Sequence, residues 1–525
     1  MAPKRRSKLN NNMSPKIINI IVVLILFILS LAIVANTMSK PVGRDEQMYC
    51  TGAALMAQGK MIYRDFSYAA QMPYHPLLCT TLFKLFGTTH YLLTVRLLSC
   101  VCDILVMLGI VGIYRHIFRS FTTSGMILGL CAAVLYVFNP LVDYANGYAW
   151  NHDVVIFCVM LSFWLFISTD FQQKSKYWRI AAIGALLTFA TCMRVTTVLA
   201  ELLFFMLLLS VPAKSMKERF KNALSFLLAG AVVSIWPVWV IAQAPRAFYL
   251  NLVKIPMLYG QWLREIGMVH NKFALTFTCL TMPGYFVLLA LTIYLCLSVL
   301  FIRHKLKIAG GINLLLAALL PAIFFIIALI PPTLWRQYLA VPVPFLVISL
   351  AFPLLHLRRH ASKAGISGQF KIAAAIMGVC GMVAGFNCPY VLQRIPIVLV
   401  PESWVPLEVH RISQDIAERT KENKLVLTLA PLYALEGGCE IYPQLSCGSV
   451  IYRAADALTP EELETTNTVG QKTLGKLIEK KPPSAVVLGI EQGKMKSLEV
   501  PLRDAVGTDW KIKEYENGPI VYFRP

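Results

Sequence analysis

Lys40-Pro41-Val42-Gly43-Arg44-Asp45-Glu46-Gln47-Met48-Tyr49 is the stretch whose reading decides this chain. It follows an apolar run, residues 17–35, that is long enough to cross the hydrocarbon core of a bilayer as a helix. A polar segment with an adjacent Asp–Glu pair therefore stands where a transmembrane helix has just emerged into water. The rest of the chain reads as a membrane scaffold around that loop, residues 36–90.

Composition supports a polytopic membrane protein. The hydrophobic fraction is 57% and the charged fraction 15%, with a mean hydropathy of +0.61, whereas soluble domains are about half apolar and a quarter charged. The net charge of +21 does not indicate nucleic-acid binding, because the basic residues fall in short loops between apolar runs, as topology determinants do. The thirteen cysteines show neither a CxxC pair nor a zinc-like His/Cys spacing, and many lie inside apolar runs as small hydrophobes. The first apolar run exceeds a signal-peptide core and lacks an A-x-A site, so it reads as an uncleaved anchor.

The N-terminus carries Lys4, Arg5, Arg6, Lys8 and Lys16 and no acid, which places residues 1–16 in the cytoplasm by the positive-inside rule. Further apolar segments follow at 91–113, 125–141, 154–169, 180–192, 195–211, 224–242, 273–302, 312–330, 338–355 and 372–391, about eleven spans with the first. The turn around Met193-Arg194 is tight and its flanking segments are short. Alternate connections hold Arg115/Arg119, Lys174/Lys176/Arg179, Lys214/Lys217/Arg219/Lys221, Arg303/Lys305/Lys307 and Arg358/Arg359/Lys363/Lys371, all on the N-terminal side of the membrane. An odd number of spans puts the C-terminus outside.

Composition changes near Pro401. Residues 403–422 predict an amphipathic helix, 424–429 and 484–490 strands, 460–480 a charged helix, and 510–514 with 520–523 a hairpin around Glu516-Asn517-Gly518. Residues 401–525 thus predict a small extracytoplasmic α/β domain, and residues 17–400 the transmembrane domain. Cys439 and Cys447 fall in it, either as an exported disulfide or as two free thiols.

Within the first outer loop, residues 46–58 predict a short helix beginning at Asp45 and stopped by Gly59, with Asp45 either chemically active or only an N-cap. Gly59-Lys60-Met61-Ile62-Tyr63-Arg64-Asp65-Phe66 follows, then a helix opened by His75-Pro76-Leu77-Leu78 and ended at Phe86-Gly87. Both short helices would seat the loop at headgroup level.

These residues carry a resemblance. An Asp–Glu followed by Tyr, a Gly-x-x-x-Tyr-Arg-Asp-like stretch and a Pro-Leu helix ending Phe-Gly are similar to the first outer loop of the GT-C superfamily, multi-spanning glycosyltransferases that use polyprenyl-phosphate sugars. The nearest branches are the protein O-mannosyltransferase and aminoarabinose-transferase group. Asp45, Glu46, Tyr49, Gly59, Tyr63, Asp65, Pro76 and Gly87 match as they stand, while His75-Pro76 replaces a frequent Pro-Pro. The resemblance covers the membrane half well and the C-terminal domain only in general placement.

It implies a GT-C-like hexosyl- or pentosyltransferase, moving a sugar from a polyprenyl-phosphate donor to an acceptor outside the membrane: protein, lipid or polysaccharide. Such chemistry needs a base for the acceptor proton and cations for the departing phosphate. Asp45 is the candidate base, with Glu46 and Asp153, the latter in the position of the superfamily's second outer acid. Arg336, which precedes Gln337-Tyr338 as an Arg/Lys–Tyr pair does in GT-C members, is the leading phosphate ligand, with Arg194, Arg96, Lys254 and Tyr338 beside it. Tyr49, Tyr63, Asp65, His75 and Pro76 are read as loop scaffold. Bland alternatives stand beside these: an N-cap for Asp153, pairing with Asp103 for Arg96, and interfacial snorkelling for Arg336. Arg264 and Lys272 are further cations of the Lys254 loop, and Glu201, inside a span, needs a partner. Some GT-C enzymes bind a divalent ion with such acids and others do not; no dedicated metal cage is evident. Expected partners are the lipid-linked donor, membrane lipids and the acceptor, with no nucleic acid, and the expected location is a bacterial inner membrane. A transporter or flippase of lipid-linked glycans is the alternative, although repeated halves and paired broken helices are missing. A non-catalytic glycan-binding relative is the third reading.

Overall fold

The computed structural model describes residues 15–268, 271–303, 311–331, 333–361, 367–421, 423–516 and 518–525. Lys4, Arg5, Arg6, Lys8, Lys305, Lys307, Lys363, Asn517 and residue 422 of the expected helix 403–422 lie outside the described residues.

The membrane half is helical throughout: α1 (Pro15–Ser39), α2 (Arg44–Ala57), α3 (Tyr74–Phe86), α4 (Tyr91–Ile117), α5 (Thr122–Val137), α6 (Pro140–Ala145), α7 (His152–Ser168), α8 (Lys176–Thr191), α9 (Val198–Ser210), α10 (Met216–Gln243), α11 (Pro245–Tyr249), α12 (Ile255–Glu265), α13 (Lys272–Leu280), α14 (Pro283–Arg303), α15 (Ile312–Leu329), α16 (Pro342–Ser349), α17 (Ala351–Arg359) and α18 (Ser367–Asn387). Each of the eleven apolar segments overlaps at least one of these helices. Among the described residues, seven helices are long and apolar enough to cross a membrane by length and composition. The protein is thus an integral membrane protein with multiple spans. Leu228, Val232, Ile235 and Val238 stay exposed on α10, an apolar face that suits lipid and not water.

Two segments differ from expectation. Residues 273–302 are not one helix: α13 ends at Leu280, and α14 restarts at Pro283, whose missing N–H suits a first turn. Residues 338–355 begin as a 3-10 turn, Arg336–Leu339, and divide at Leu350 into α16 and α17.

The C-terminal part holds a five-stranded sheet in the order β2-β1-β3-β5-β4. Its strands are β1 (Leu425–Thr428), β2 (Glu440–Ile441), β3 (Ala485–Leu488), β4 (Lys511–Glu514) and β5 (Ile520–Phe523). β2, β1 and β3 are parallel, and β3, β5 and β4 antiparallel. β1 and β3 are buried along their whole length, as central strands covered on both faces must be, which is why they read as continuous apolar runs. The expected helix over 460–480 is two short helices, Pro460–Thr465 and Leu474–Lys480. The Thr466 hydroxyl bonds back to the Glu462 carbonyl at 2.7 Å, and Asn467 takes φ 47°, so polar side chains compete with the helix and end it. Cys439 and Cys447 are free and buried.

The loop 40–90 is a packed unit. α3 closes on Gly87 at φ 56°, in the left-handed region that favours glycine. Tyr49 meets Tyr68 and His75 edge-on, at centroid distances of 5.9 and 5.1 Å. Burial pushes the His75 imidazole down to about 3, so it packs as a neutral ring. Lys40 straps the C-terminal end of α6, its ammonium donating to the carbonyls of Asp143, Tyr144 and Asn146 at 2.6, 3.0 and 2.5 Å. Gly147 follows at φ 83°, with Thr37 so close that a Cβ there would meet its hydroxyl at 2.5 Å.

Candidate active site

A cavity of about 510 Å³ lies between the loop 40–90, the turn after α8, α12, α15 and the C-terminal part. Arg44, Asp45, Arg194, Tyr338 and Arg453 supply its polar wall. Phe324, Ile327 and Ile330 of α15 and its end, with Val341, supply an apolar one.

Asp45 reaches this wall because it is not the cap of α2. The helix starts at Arg44 after extended Gly43, and the Gly43 N–H donates to Glu46 Oε2 at 2.7 Å. Glu46 therefore satisfies the first turn, and Asp45, at the second helical position, is left to face the cavity. Among the described residues its carboxylate has no hydrogen bond and no ion pair. Burial raises its pKa above the ordinary carboxylate value; Arg453 and then Arg44 pull it back, and Glu46 pushes it up.

Glu46 itself is fully enclosed. Oε1 accepts from Arg96 Nε at 2.8 Å and from the Ala149 N–H at 2.6 Å, and Oε2 accepts from Arg96 Nη2 at 2.8 Å. Arg96 spends its remaining donors on the carbonyls of Thr37, Lys40 and Pro41, at 3.1, 2.8 and 3.1 Å. The pair ties α4 to the start of α2, so neither side chain is available to substrate. The expected alternative for Arg96, pairing with Asp103, is also replaced: Asp103 accepts from Tyr136 and Asn146, at 2.5 and 2.9 Å.

Residues 70–240 match the family model described as dolichyl-phosphate-mannose-protein mannosyltransferase. No curated protein matches the chain. Among solved structures, ArnT from Cupriavidus metallidurans bound to undecaprenyl phosphate is 13% identical, with a TM-score of 0.64 over 97% of this chain and 98% of that one. Its apo form is 13% identical, with a TM-score of 0.60 over 97% of each chain. The likeness at this identity is one of fold. The chain thus shares the ArnT fold, and residues 70–240 within it match a mannosyltransferase family model. An Archaeoglobus fulgidus oligosaccharyltransferase tethered with an acceptor peptide is 12% identical, with a TM-score of 0.49 over 95% of this chain and 74% of that one.

The remaining candidates divide. Arg194 and Tyr338 line the cavity with Asp45. Arg194 Nη2 donates to Asn151 Oδ1 at 3.2 Å, and Asn151 in turn donates to Gln71 Oε1 and the Met193 carbonyl, both at 2.9 Å. Arg336 is exposed and off the cavity wall, although Trp335, Gln337 and Tyr338 are on it. The 3-10 turn explains this: successive side chains point about 120° apart. Lys254 is off the wall as well, paired with Glu462. Asp153 is buried, and its Oδ2 accepts the Gly147 N–H at 2.9 Å, so it braces the loop beside Tyr148 and is neither an N-cap nor a cavity residue. Glu201 finds its partners in Thr188 and Thr191, both donating at 2.6 Å.

The scaffold residues hold the loop through backbone and ring contacts. The Tyr63 hydroxyl donates to the Gln71 carbonyl at 2.6 Å, Asp65 accepts the Met61 N–H at 2.7 Å, and Pro76 is buried in α3. Among the described residues no group of three or more His, Cys, Asp and Glu is placed to hold a metal. Sequence reasoning missed Arg453. It lies in the helix Ser449–Ala455, and the one available signal was a lone cation amid Val, Ile, Tyr and Ala.

Proposed function

We propose that this protein is a glycosyltransferase that moves a sugar from a polyprenyl-phosphate donor to a hydroxyl of an acceptor, with Asp45 as the general base. The observation that carries the reading is the unpartnered Asp45 carboxylate on a cavity that is also lined by apolar side chains of α15. The acceptor oxygen forms a bond to the anomeric carbon as the bond from that carbon to the phosphate oxygen breaks. The acceptor proton passes to Asp45, and polyprenyl phosphate leaves. Arg194, with Tyr338 beside it, takes the phosphate, because a cation held by Asn151 and not by a carboxylate keeps its charge for a ligand. The solved ArnT structure holding undecaprenyl phosphate supports a lipid phosphate as leaving group. The cavity faces outward in this proposal, from the inner membrane of a bacterium. Residues 17–400 form the membrane domain, and residues 401–525 an extracytoplasmic domain over the cavity.

Asp45→Asn tests the base. Gly43 and Glu46 start the helix, so the variant folds, inserts and binds donor, while transfer in liposomes falls roughly 10²-fold or more. Near-wild-type transfer by the variant would remove Asp45 from the chemistry.

A further inference from the structure

We propose that Arg453 and Tyr259 form an anion subsite on the acceptor side of Asp45, and that the acceptor of this transferase therefore carries a carboxylate or phosphate near the hydroxyl that is glycosylated. The inference rests on the reading of Asp45 as the base.

Arg453 is 7% exposed, yet it lines the cavity from the C-terminal part. Its guanidinium lies over the Tyr259 ring, 3.9 Å from the centroid, with Trp262 at 5.8 Å. Nε donates to the Val450 carbonyl at 3.3 Å. Among the described residues its two Nη groups have no hydrogen bond and no carboxylate in contact. The neighbouring cations are answered differently: Arg44 pairs with Glu491 at 2.7 Å, Arg96 with Glu46 and Lys254 with Glu462. The Tyr259 hydroxyl is a second, independent sign, enclosed without a partner. Holding a cation out of water with no carboxylate in contact is costly, and stacking on one ring offsets only part of that cost. Stacking also covers a face of the guanidinium and leaves its edge free, the edge that binds carboxylate or phosphate through two parallel N–H bonds.

In-line displacement fixes the side. The nucleophile and the leaving group lie on opposite faces of the anomeric carbon, and the base accompanies the nucleophile. Arg453 enters the cavity from the C-terminal part, stacked on Tyr259, and is the cation acting most strongly on Asp45, whereas Arg194 enters it from the turn after α8, held by Asn151. With Arg194 taking the donor phosphate, Arg453 is assigned to the acceptor side. As Asp45 takes up the proton, its charge no longer faces Arg453, and an anion on the acceptor would.

The test uses the full chain in nanodiscs preloaded with undecaprenyl phosphate, with radiolabelled inorganic phosphate and glucuronate as probes and glucose as the neutral control. Wild type binds at least one anion and not glucose; phosphate alone, carboxylate alone or both identifies the source of the charge. Arg453→Gln and Arg453→Lys weaken that binding at least tenfold and change undecaprenyl phosphate retention less than twofold. Arg194→Gln does the reverse. Tyr259→Phe, which removes only the unpartnered hydroxyl, weakens anion binding several-fold and keeps the question open to test where the Arg453 variants do not fold. Loss of undecaprenyl phosphate from Arg453→Gln would overturn the proposal by moving Arg453 to the donor side. Anion binding that is absent in wild type, or unchanged in every variant, would reduce Arg453 to a packing residue. Asp45→Asn transfer is measured separately, so failure of the base and failure of the subsite are distinguishable.

Discussion

Arg96 and Glu46 meet through two hydrogen bonds of 2.8 Å, and both side chains are fully enclosed where α4 passes the start of α2. Adjacent acids in sequence thus have opposite fates. Glu46 is consumed in holding the loop, and that leaves Asp45 facing the cavity on a fixed backbone.

Removing one partner of an enclosed ion pair strands the other charge, at a cost of about 3–5 kcal/mol. Glu46→Gln and Arg96→Met are therefore expected to lower stability by that order, read as a lower unfolding temperature in detergent, whereas Asp45→Asn leaves it near wild type. Equal stability of all three variants would contradict the enclosed pair.

The donor side gives a contrast between two arginines. Arg194→Gln should cost about 2–4 kcal/mol in the transition state for the lipid-linked donor, the scale for one lost donor to a developing anion. Arg336→Ala, exposed and off the cavity, should change the rate little. A large loss from Arg336→Ala with none from Arg194→Gln would return the phosphate to the Arg336 turn.

The sequence disclosed the helices and the loop because their signals are local. Apolar runs mark the spans, Gly87 marks the end of α3, and polar residues beside a span mark the site. It did not disclose which acid is free. That is decided by Arg96, 50 residues on from Glu46, and by the Ala149 N–H, 103 residues on. The exposure of Arg336 was not legible because the local winding of a 3-10 turn aims its side chain, and no motif reports that winding. Arg453 was missed because its partner, Tyr259, belongs to α12 of the membrane half, so neither residue stands out alone.

Orientation has its own test. A reporter active only outside the cytoplasm should give signal when fused at Pro525 and none when fused at Gln173, between α7 and α8. The opposite pattern would place the cavity on the cytoplasmic side and exclude an outward-facing acceptor site.

The last expectation is the acid limb of the pH–rate profile. Asp45 acts as a base only when ionised, so transfer should fall as pH drops through its pKa. Burial holds that value above the ordinary carboxylate range, and the limb should therefore lie above about 3.9, the unperturbed value for Asp. Arg453 and Arg44 both favour the ionised form, Arg453 more strongly, while Glu46 opposes it. Replacing Arg453 by Gln should accordingly move the limb to higher pH. Arg44→Gln should move it the same way by less, and Arg336→Ala should leave it in place. The profile is read with pH equal on both sides of the membrane, from rates at saturating donor. A limb that does not move in Arg453→Gln would separate Arg453 from the titration of Asp45, and a limb unchanged in Asp45→Asn would assign the titrating base to another residue.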